Sequence, residues 1–251
     1  MEFVPCGNCN NGYLYLHVMQ GAGPSVKECE CHKKWVHANT VEKTYKHNGF
    51  DPRHFNYSPR QYAGTKSAAD KDRIINYVKQ FELNPAVRSL VCYLYGPNGT
   101  QKTTMMSWVG KSLLDKGFSV RYMLMNDLVK LLMDAEDFNE ERAEKARAKV
   151  EKLEETDLII IDEAFDKSKT WISRSGYELG TLDSWIRKRI SCLNKGIFFI
   201  SNVLPNDIAS QNFSASIADF IQRETSLNKT LLKFEDNYLK STTIEFTGSL
   251  F

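Results

Sequence analysis

The chain has 251 residues, 42% of them hydrophobic and 25% charged, the balance of a chain that folds around a core rather than of a disordered one. Its formal charge is only +2, so any nucleic-acid binding must come from local patches and not from the overall field. No window approaches the roughly twenty uninterrupted apolar residues that span a bilayer, and the N-terminus lacks a signal-peptide pattern, so a cytoplasmic chain with no membrane partner is expected.

Four of the six cysteines lie at the front. Cys6-x-x-Cys9 and Cys29-x-Cys31 bracket a segment holding Gly12, Gly21, Gly23 and Pro24, as two metal-binding turns joined by a short hairpin require. Paired cysteines in a reducing compartment point to metal more than to disulfides. Cys6, Cys9, Cys29 and Cys31 are therefore expected to hold a structural zinc ion, which staples a segment too small to bury a core. His32 follows directly and is an alternative to Cys31 as the fourth ligand, with four cysteines favoured. A set of unliganded thiols is the plainer reading, and a redox dithiol fits less well without a surrounding βαβ pattern. Cys92 and Cys192 read as small buried hydrophobes.

Lys33, Lys34 and Lys43 next alternate with Trp35, His37 and Tyr45, a solvated helix with an aromatic anchor or a face for a partner or a phosphate backbone. The run from Gly49 to Pro59 breaks regular structure. It sets the expected boundary between a zinc-binding domain, residues 1–62, and a larger domain, residues 63–251.

In the larger domain Ile74, Ile75, Val78 and Phe81 carry helical spacing over 68–81. The apolar run Leu90–Tyr95 then enters Gly96-Pro97-Asn98-Gly99-Thr100-Gln101-Lys102-Thr103-Thr104, a strand, a glycine-containing turn and a helix start. That order turns several backbone N–H groups and the positive end of a helix dipole onto one anion. Lys102 is expected to reach the β- and γ-phosphates of ATP, and the Thr103 hydroxyl to ligate Mg2+. Gln101 stands where the G-x-x-x-x-G-K-[ST] pattern has glycine, which predicts weak hydrolysis if the backbone there needs a glycine conformation.

Further predicted elements are a helix from Thr103 to about Lys116 capped at Gly117, a strand over 118–125, a helix from about Asn126, and a charged exposed helix within 134–155 with pairs such as Glu141 to Lys145. Leu158-Ile159-Ile160-Ile161 then ends in Asp162-Glu163, a strand buried on both faces whose C-terminal edge presents two carboxylates. Asp162 is expected to hold Mg2+, and Glu163 to orient and deprotonate the attacking water. After a helix over 177–190, residues 196–202 form a fourth strand, which puts Asn202 beside Glu163 to hydrogen-bond that water or the γ-phosphate. Residues 230–234 supply a fifth. Strands alternating with helices predict an α/β domain with a mostly parallel five-stranded sheet.

The cysteine pattern, the loop Gly96–Thr103, the strand ending Asp162-Glu163 and Ile200-Ser201-Asn202 together resemble the DnaC/DnaI-like replicative helicase loaders of phage and bacteria, a branch of the AAA+ ATPases. The resemblance implies an AAA+ P-loop domain without a C-terminal lid behind an N-terminal domain that grips a DnaB-like helicase. It further implies binding of single-stranded DNA and self-association through the ATP site, with ATP and ADP as ligands. It matches Arg223, in Ser216–Arg223, to an arginine finger given to a neighbouring subunit. Arg187, Lys188 and Arg189 compete for an interface or DNA role, and Lys167, Lys169 and Arg174 around Trp171 for phosphate-backbone contact with a stacking base. An IstB-like transposition helper and a hydrolysis-deficient nucleotide-binding adaptor are the competing functions.

Overall fold

A computed structural model of the chain describes residues 3–16, 25–54, 56–62, 66–173 and 176–235. Gly21, Gly23, Pro24 and Arg174 lie outside these residues, as does the segment after 235 on which a lid would be judged. The chain divides into two compact units, residues 1–52 and 53–251. Among the described residues no helix is long and apolar enough to cross a membrane.

In the first unit β1 (Tyr13–Leu16) and β2 (Ser25–Glu28) pair antiparallel. The hairpin register sets Tyr13 against Glu28, and the Cys29 N–H donates to Gly12 O at 2.8 Å. The cysteine pairs at the two outer ends of the hairpin are thereby brought side by side. Helix α1 (Glu30–His47) starts at the second pair and carries Glu30 in its first turn and Lys46 and His47 in its last, charges that suit the helix dipole. Lys33 pairs with Glu30 at 2.8 Å, so the basic run is partly a local ion-pair pattern on a solvated helix.

The second unit is a three-layer α/β/α domain. Its helices are α2 (Ala68–Leu83), α3 (Lys102–Asp115), α4 (Met125–Asp134), α5 (Glu140–Glu155), α6 (Tyr177–Arg187) and α7 (Ala215–Asn228). Its strands are β3 (Val91–Tyr95), β4 (Val120–Leu124), β5 (Leu158–Asp162), β6 (Gly196–Ser201) and β7 (Leu231–Lys233). They lie in the order β4-β5-β6-β3-β7, and each neighbouring pair is parallel.

Parallel strands need covering helices on both faces, and the side-chain alternation shows it. Val91, Tyr93, Ile159, Ile161, Ile197 and Phe199 face a core shared with α4, α6 and α7. On the other face Tyr77 of α2 meets Phe198 edge to face, 4.8 Å between ring centroids. Leu158 to Ile161 are all fully buried, and burial of each such side chain contributes roughly 1.5–3 kcal/mol. These contacts fix where the carboxyl ends of β3, β5 and β6 meet.

The basic cluster and one cysteine depart from expectation. Arg189 is fully buried, and its guanidinium donates to Leu153 O and Thr156 O, each at 2.7 Å, and to Gly196 O at 3.1 Å. It ties the end of α5 to the start of β6, and burial brings its pKa down to about 9. Lys188 pairs with Glu154 at 2.7 Å and Arg187 with Asp183 at 2.7 Å. Arg189 is thus committed within the fold, whereas Arg187 and Lys188 stay part-exposed in surface ion pairs. Cys92 is buried as expected, but Cys192 is exposed, because it closes the π-helical turn Lys188–Cys192 rather than entering the core.

Candidate functional site

The chain leaves β3 for the far edge strand β4, works back to β6 and then crosses to β7 on the other side of β3. Neighbouring connections therefore diverge at β3, the topological position where open α/β sheets bind ligands at the carboxyl ends of their strands. A cleft of about 260 Å³ lies there, lined by Asn98 to Thr104, Asp162, Glu163, Ile200, Ser201 and Asn202. The loop between β3 and α3, the first turn of α3, the end of β5 and the end of β6 supply every lining residue.

The loop is shaped by close backbone approach. A Cβ on Gly96 would stand 1.9 Å from the carbonyl oxygen of Phe234, so only glycine fits where β7 lies against β3. Gly99 has φ +81°. Gln101 adopts φ +63°, ψ +21°, the left-handed conformation, as the residue preceding α3. The position does require a glycine-like backbone, and glutamine adopts it at a cost on the order of 1 kcal/mol. Thr100 is fully buried and its hydroxyl donates to Pro97 O at 2.9 Å.

Lys102 folds back over the loop. Its Nζ donates to Gly96 O at 2.7 Å, Pro97 O at 2.8 Å and Asn202 Oδ1 at 3.0 Å. Burial lowers its pKa to about 8, against the pull of Asp162.

Thr103 Oγ1 donates to Asp162 Oδ2 at 2.7 Å. Tyr122 of β4 donates to the same oxygen, and the Glu163 N–H donates to Asp162 Oδ1 at 2.7 Å. A hydroxyl and a carboxylate placed this way form a hard-oxygen pair of the kind divalent cations take. Burial first, then the Asp162 carboxylate, raise the Tyr122 pKa and keep its phenol a donor.

Glu163 and Phe165 both have left-handed backbones, φ +53° and +58°. The turn is held from β6, where Ile200 O accepts from the Ala164 N–H at 2.9 Å and the Ser201 hydroxyl donates to Ala164 O at 2.6 Å. Three strained residues at one sheet edge mark a site rather than a chance turn. Glu163 Oε1 lies 3.4 Å from Lys169 Nζ, a half-exposed pair.

Two neighbours close the loop from upstream in the chain. Tyr57 donates to Gln101 Oε1 at 3.5 Å, and Thr104 Oγ1 lies 3.3 Å from His54 Nδ1.

Of the residues singled out in the sequence, the structure brings Asn98 to Thr104, Asp162, Glu163 and Asn202 into one cleft, whose lining does not include Gly96 and Pro97. Arg223 is not among its lining residues: it is exposed, 3.3 Å from Glu224, with its guanidinium 5.3 Å from the Phe220 ring centre. Arg187 stacks on the same ring at 4.6 Å. Trp171 is 68% exposed. Tyr122 was not marked by any motif, since it reaches Asp162 only through the pairing of β4 with β5.

In the first unit the sulfur atoms of Cys6, Cys9, Cys29 and Cys31 all lie within 4.8 Å of one another. Four of the separations are 3.8, 3.7, 3.4 and 3.3 Å. A tetrahedral ion with metal–sulfur bonds of about 2.3 Å sets sulfurs roughly 3.8 Å apart, so the four thiols fit such an ion and can hold it. His32 does not belong to this group of ligand atoms; its Nδ1 lies 2.7 Å from Glu28 Oε1 and its ring stacks on Trp35 at 5.8 Å.

Residues 61–167 match the IstB-like ATP binding protein family, a span that contains the phosphate loop, Asp162 and Glu163. No curated protein matches the chain. Among solved structures the fold is similar to a replication initiator DnaA bound to AMPPCP and single-stranded DNA, with a TM-score of 0.57, 14% identity and coverage of 75% of this chain and 51% of that one. It is also similar to DnaI, TM-score 0.52, 15% identity, 74% and 92% covered, and to the DnaC helicase loader, 0.50, 14%, 74% and 99%. The chain spans about half the length of the DnaA chain it matches. These likenesses show an AAA+-like P-loop fold, and the match over residues 61–167 is to an ATP-binding P-loop family, consistent with ATPase activity.

Proposed function

We propose that this chain is an ATP-dependent loader that places a DnaB-like ring helicase on single-stranded DNA, with residues 1–62 as the zinc-stapled helicase-binding domain and residues 63–251 as the motor. The observation that carries the nucleotide reading is the meeting of Lys102, Thr103, Asp162 and Asn202 in one cleft at the switch point of the sheet. Similarity to nearly the full length of the DnaI and DnaC chains supports the loader assignment.

The triphosphate lies on the N–H groups of Asn98 to Thr104, and Lys102 exchanges loop carbonyls for β- and γ-phosphate oxygens. Thr103 and Asp162 would hold Mg2+, which when bound would supply positive charge against the phosphate oxygens. Glu163 leaves Lys169, accepts a proton from water, and the water oxygen bonds to the γ-phosphorus as the bond to the β–γ bridging oxygen breaks and ADP departs with the electron pair. Asn202 orients the water or the γ-phosphate from beside Lys102. Arg223 acts on the γ-phosphate of a neighbouring subunit, so hydrolysis depends on assembly. Lys167, Lys169, Arg174 and Trp171 form the contact to single-stranded DNA.

The family match favours a second reading, an IstB-like helper that assembles on duplex DNA. The test is helicase loading on single-stranded circles with and without ATP. ATP-dependent stimulation of unwinding supports the loader, whereas preference for duplex DNA and indifference to the helicase supports the helper. Partner binding that ignores ATP supports a hydrolysis-deficient adaptor.

A further inference from the structure

We propose that Tyr122 is a positioning residue for the Asp162 carboxylate, which it holds in the rotamer that serves a divalent cation beside Thr103. The inference rests on the nucleotide reading above. It arises from the sheet register. Tyr122 on β4 pairs with Ile160 on β5, and Asp162 stands two residues further along the same face, opposite Leu124. A long side chain reaches that diagonal neighbour.

Among the described residues the Asp162 carboxylate has three donors. Thr103 and Tyr122 both donate to Oδ2, and the Glu163 N–H donates to Oδ1. The Glu163 bond comes from a left-handed turn next door and fixes one oxygen. Thr103 belongs to the loop that must receive the nucleotide, so its hydroxyl takes part in any rearrangement on binding. Tyr122 sits on a regular strand outside the cleft lining. Among the described residues it is the side-chain donor to Asp162 that does not belong to the phosphate loop. Asp162 is itself 8% exposed, so a lost donor is poorly replaced by solvent, and the carboxylate is freer to turn away from Thr103. Outer partners of metal-binding carboxylates act in this way on metal affinity.

The experiment is Tyr122→Phe, which keeps the ring and removes the hydroxyl. A fluorescent ATP analogue is titrated against the full chain over a range of Mg2+, and Mn2+ binding to the nucleotide complex is followed by electron paramagnetic resonance. The expected result is an increase of about tenfold in the Mg2+ and Mn2+ concentrations at half-saturation. Affinity for the analogue in the presence of a chelator and the melting temperature without nucleotide are expected to stay at wild-type values. A variant that titrates like wild type, or that loses melting temperature with no change in metal dependence, overturns the proposal. Asp162→Asn serves as the control: loss of its metal dependence beside an unaffected Tyr122→Phe refutes Tyr122 alone. An Asp162→Asn variant with wild-type metal dependence refutes the metal assignment, and the role of Tyr122 falls with it.

Discussion

Asn202, the first residue past β6, accepts a hydrogen bond at 3.0 Å from the Nζ of Lys102, 100 residues earlier in the chain. The two ends of neighbouring parallel strands are thereby joined through the group that meets the phosphates. Asn202→Ala is expected to bind ATP within a few-fold of wild type but to hydrolyse it about 10²-fold more slowly, the typical effect of removing one oriented donor. Lys102→Ala is expected to lose both. Titration with a fluorescent nucleotide and steady-state phosphate release separate the two effects. An equal loss of binding in Asn202→Ala would mean that the asparagine only places the lysine.

The buried ammonium of Lys102 gives nucleotide binding a pH dependence. Its pKa in the fold is about 8, below the ordinary 10.5. The unfolded chain therefore holds more protons between these values, and the contribution of this group to stability rises with pH across that window. Phosphate binding needs the proton, so affinity for ATP is expected to fall as pH rises above about 8, by up to tenfold per unit. Lys102→Arg should flatten the profile, since a guanidinium does not titrate there. Binding measured from pH 7 to 9.5 in both proteins tests this, and a flat wild-type curve would refute it.

Gln101 occupies a left-handed backbone position. Gln101→Gly is expected to raise stability by roughly 0.5–1 kcal/mol, the relief of side-chain strain less the added freedom of glycine in the unfolded chain. Gln101→Val should lower it, because a β-branched residue fits this region worst. Thermal melts without nucleotide decide the sign. A destabilised glycine variant would show that the contact with Tyr57 outweighs the backbone strain.

The cysteine cluster predicts about one zinc ion per chain, held by Cys6, Cys9, Cys29 and Cys31, the four ligands of a closed structural site. Cys31→Ser is expected to lose it and His32→Ala to keep it, since the four grouped sulfurs already complete a tetrahedral set without the imidazole. Metal analysis of the purified variants is the measurement. Chelation should also abolish the pairing of Tyr13–Leu16 with Ser25–Glu28, seen as loss of amide-exchange protection in those strands.

Much of the site could be read from the chain alone because its signals are local. The run Gly96 to Thr104 is contiguous, Asp162-Glu163 caps four aliphatic residues, and the cysteines are two or three residues apart. Gln101 shows the same locality from the other side, since its need for a left-handed backbone follows from its place in the pattern. What escaped notice depends on neighbours across the sheet. Tyr122 looks like one more residue of an alternating strand until β4 pairs with β5. Arg189 reads as part of a surface cluster until its guanidinium meets carbonyls from positions 153, 156 and 196. No spacing rule marks a buried arginine whose partners are backbone oxygens.

Arg189 has one more consequence. It binds the carboxyl end of α5 to the amino end of β6, the end of the sheet opposite the strained turns at Gln101, Glu163 and Phe165. Wear and repair are thus divided between two poles. In a mutational scan read separately for abundance and for ATP turnover, substitutions at Arg189 should deplete the protein itself. Changes at Glu163 or Asn202 should leave abundance high and silence turnover. The strand edge that works would be the part of the domain most open to evolutionary retuning, because the opposite pole keeps the sheet assembled.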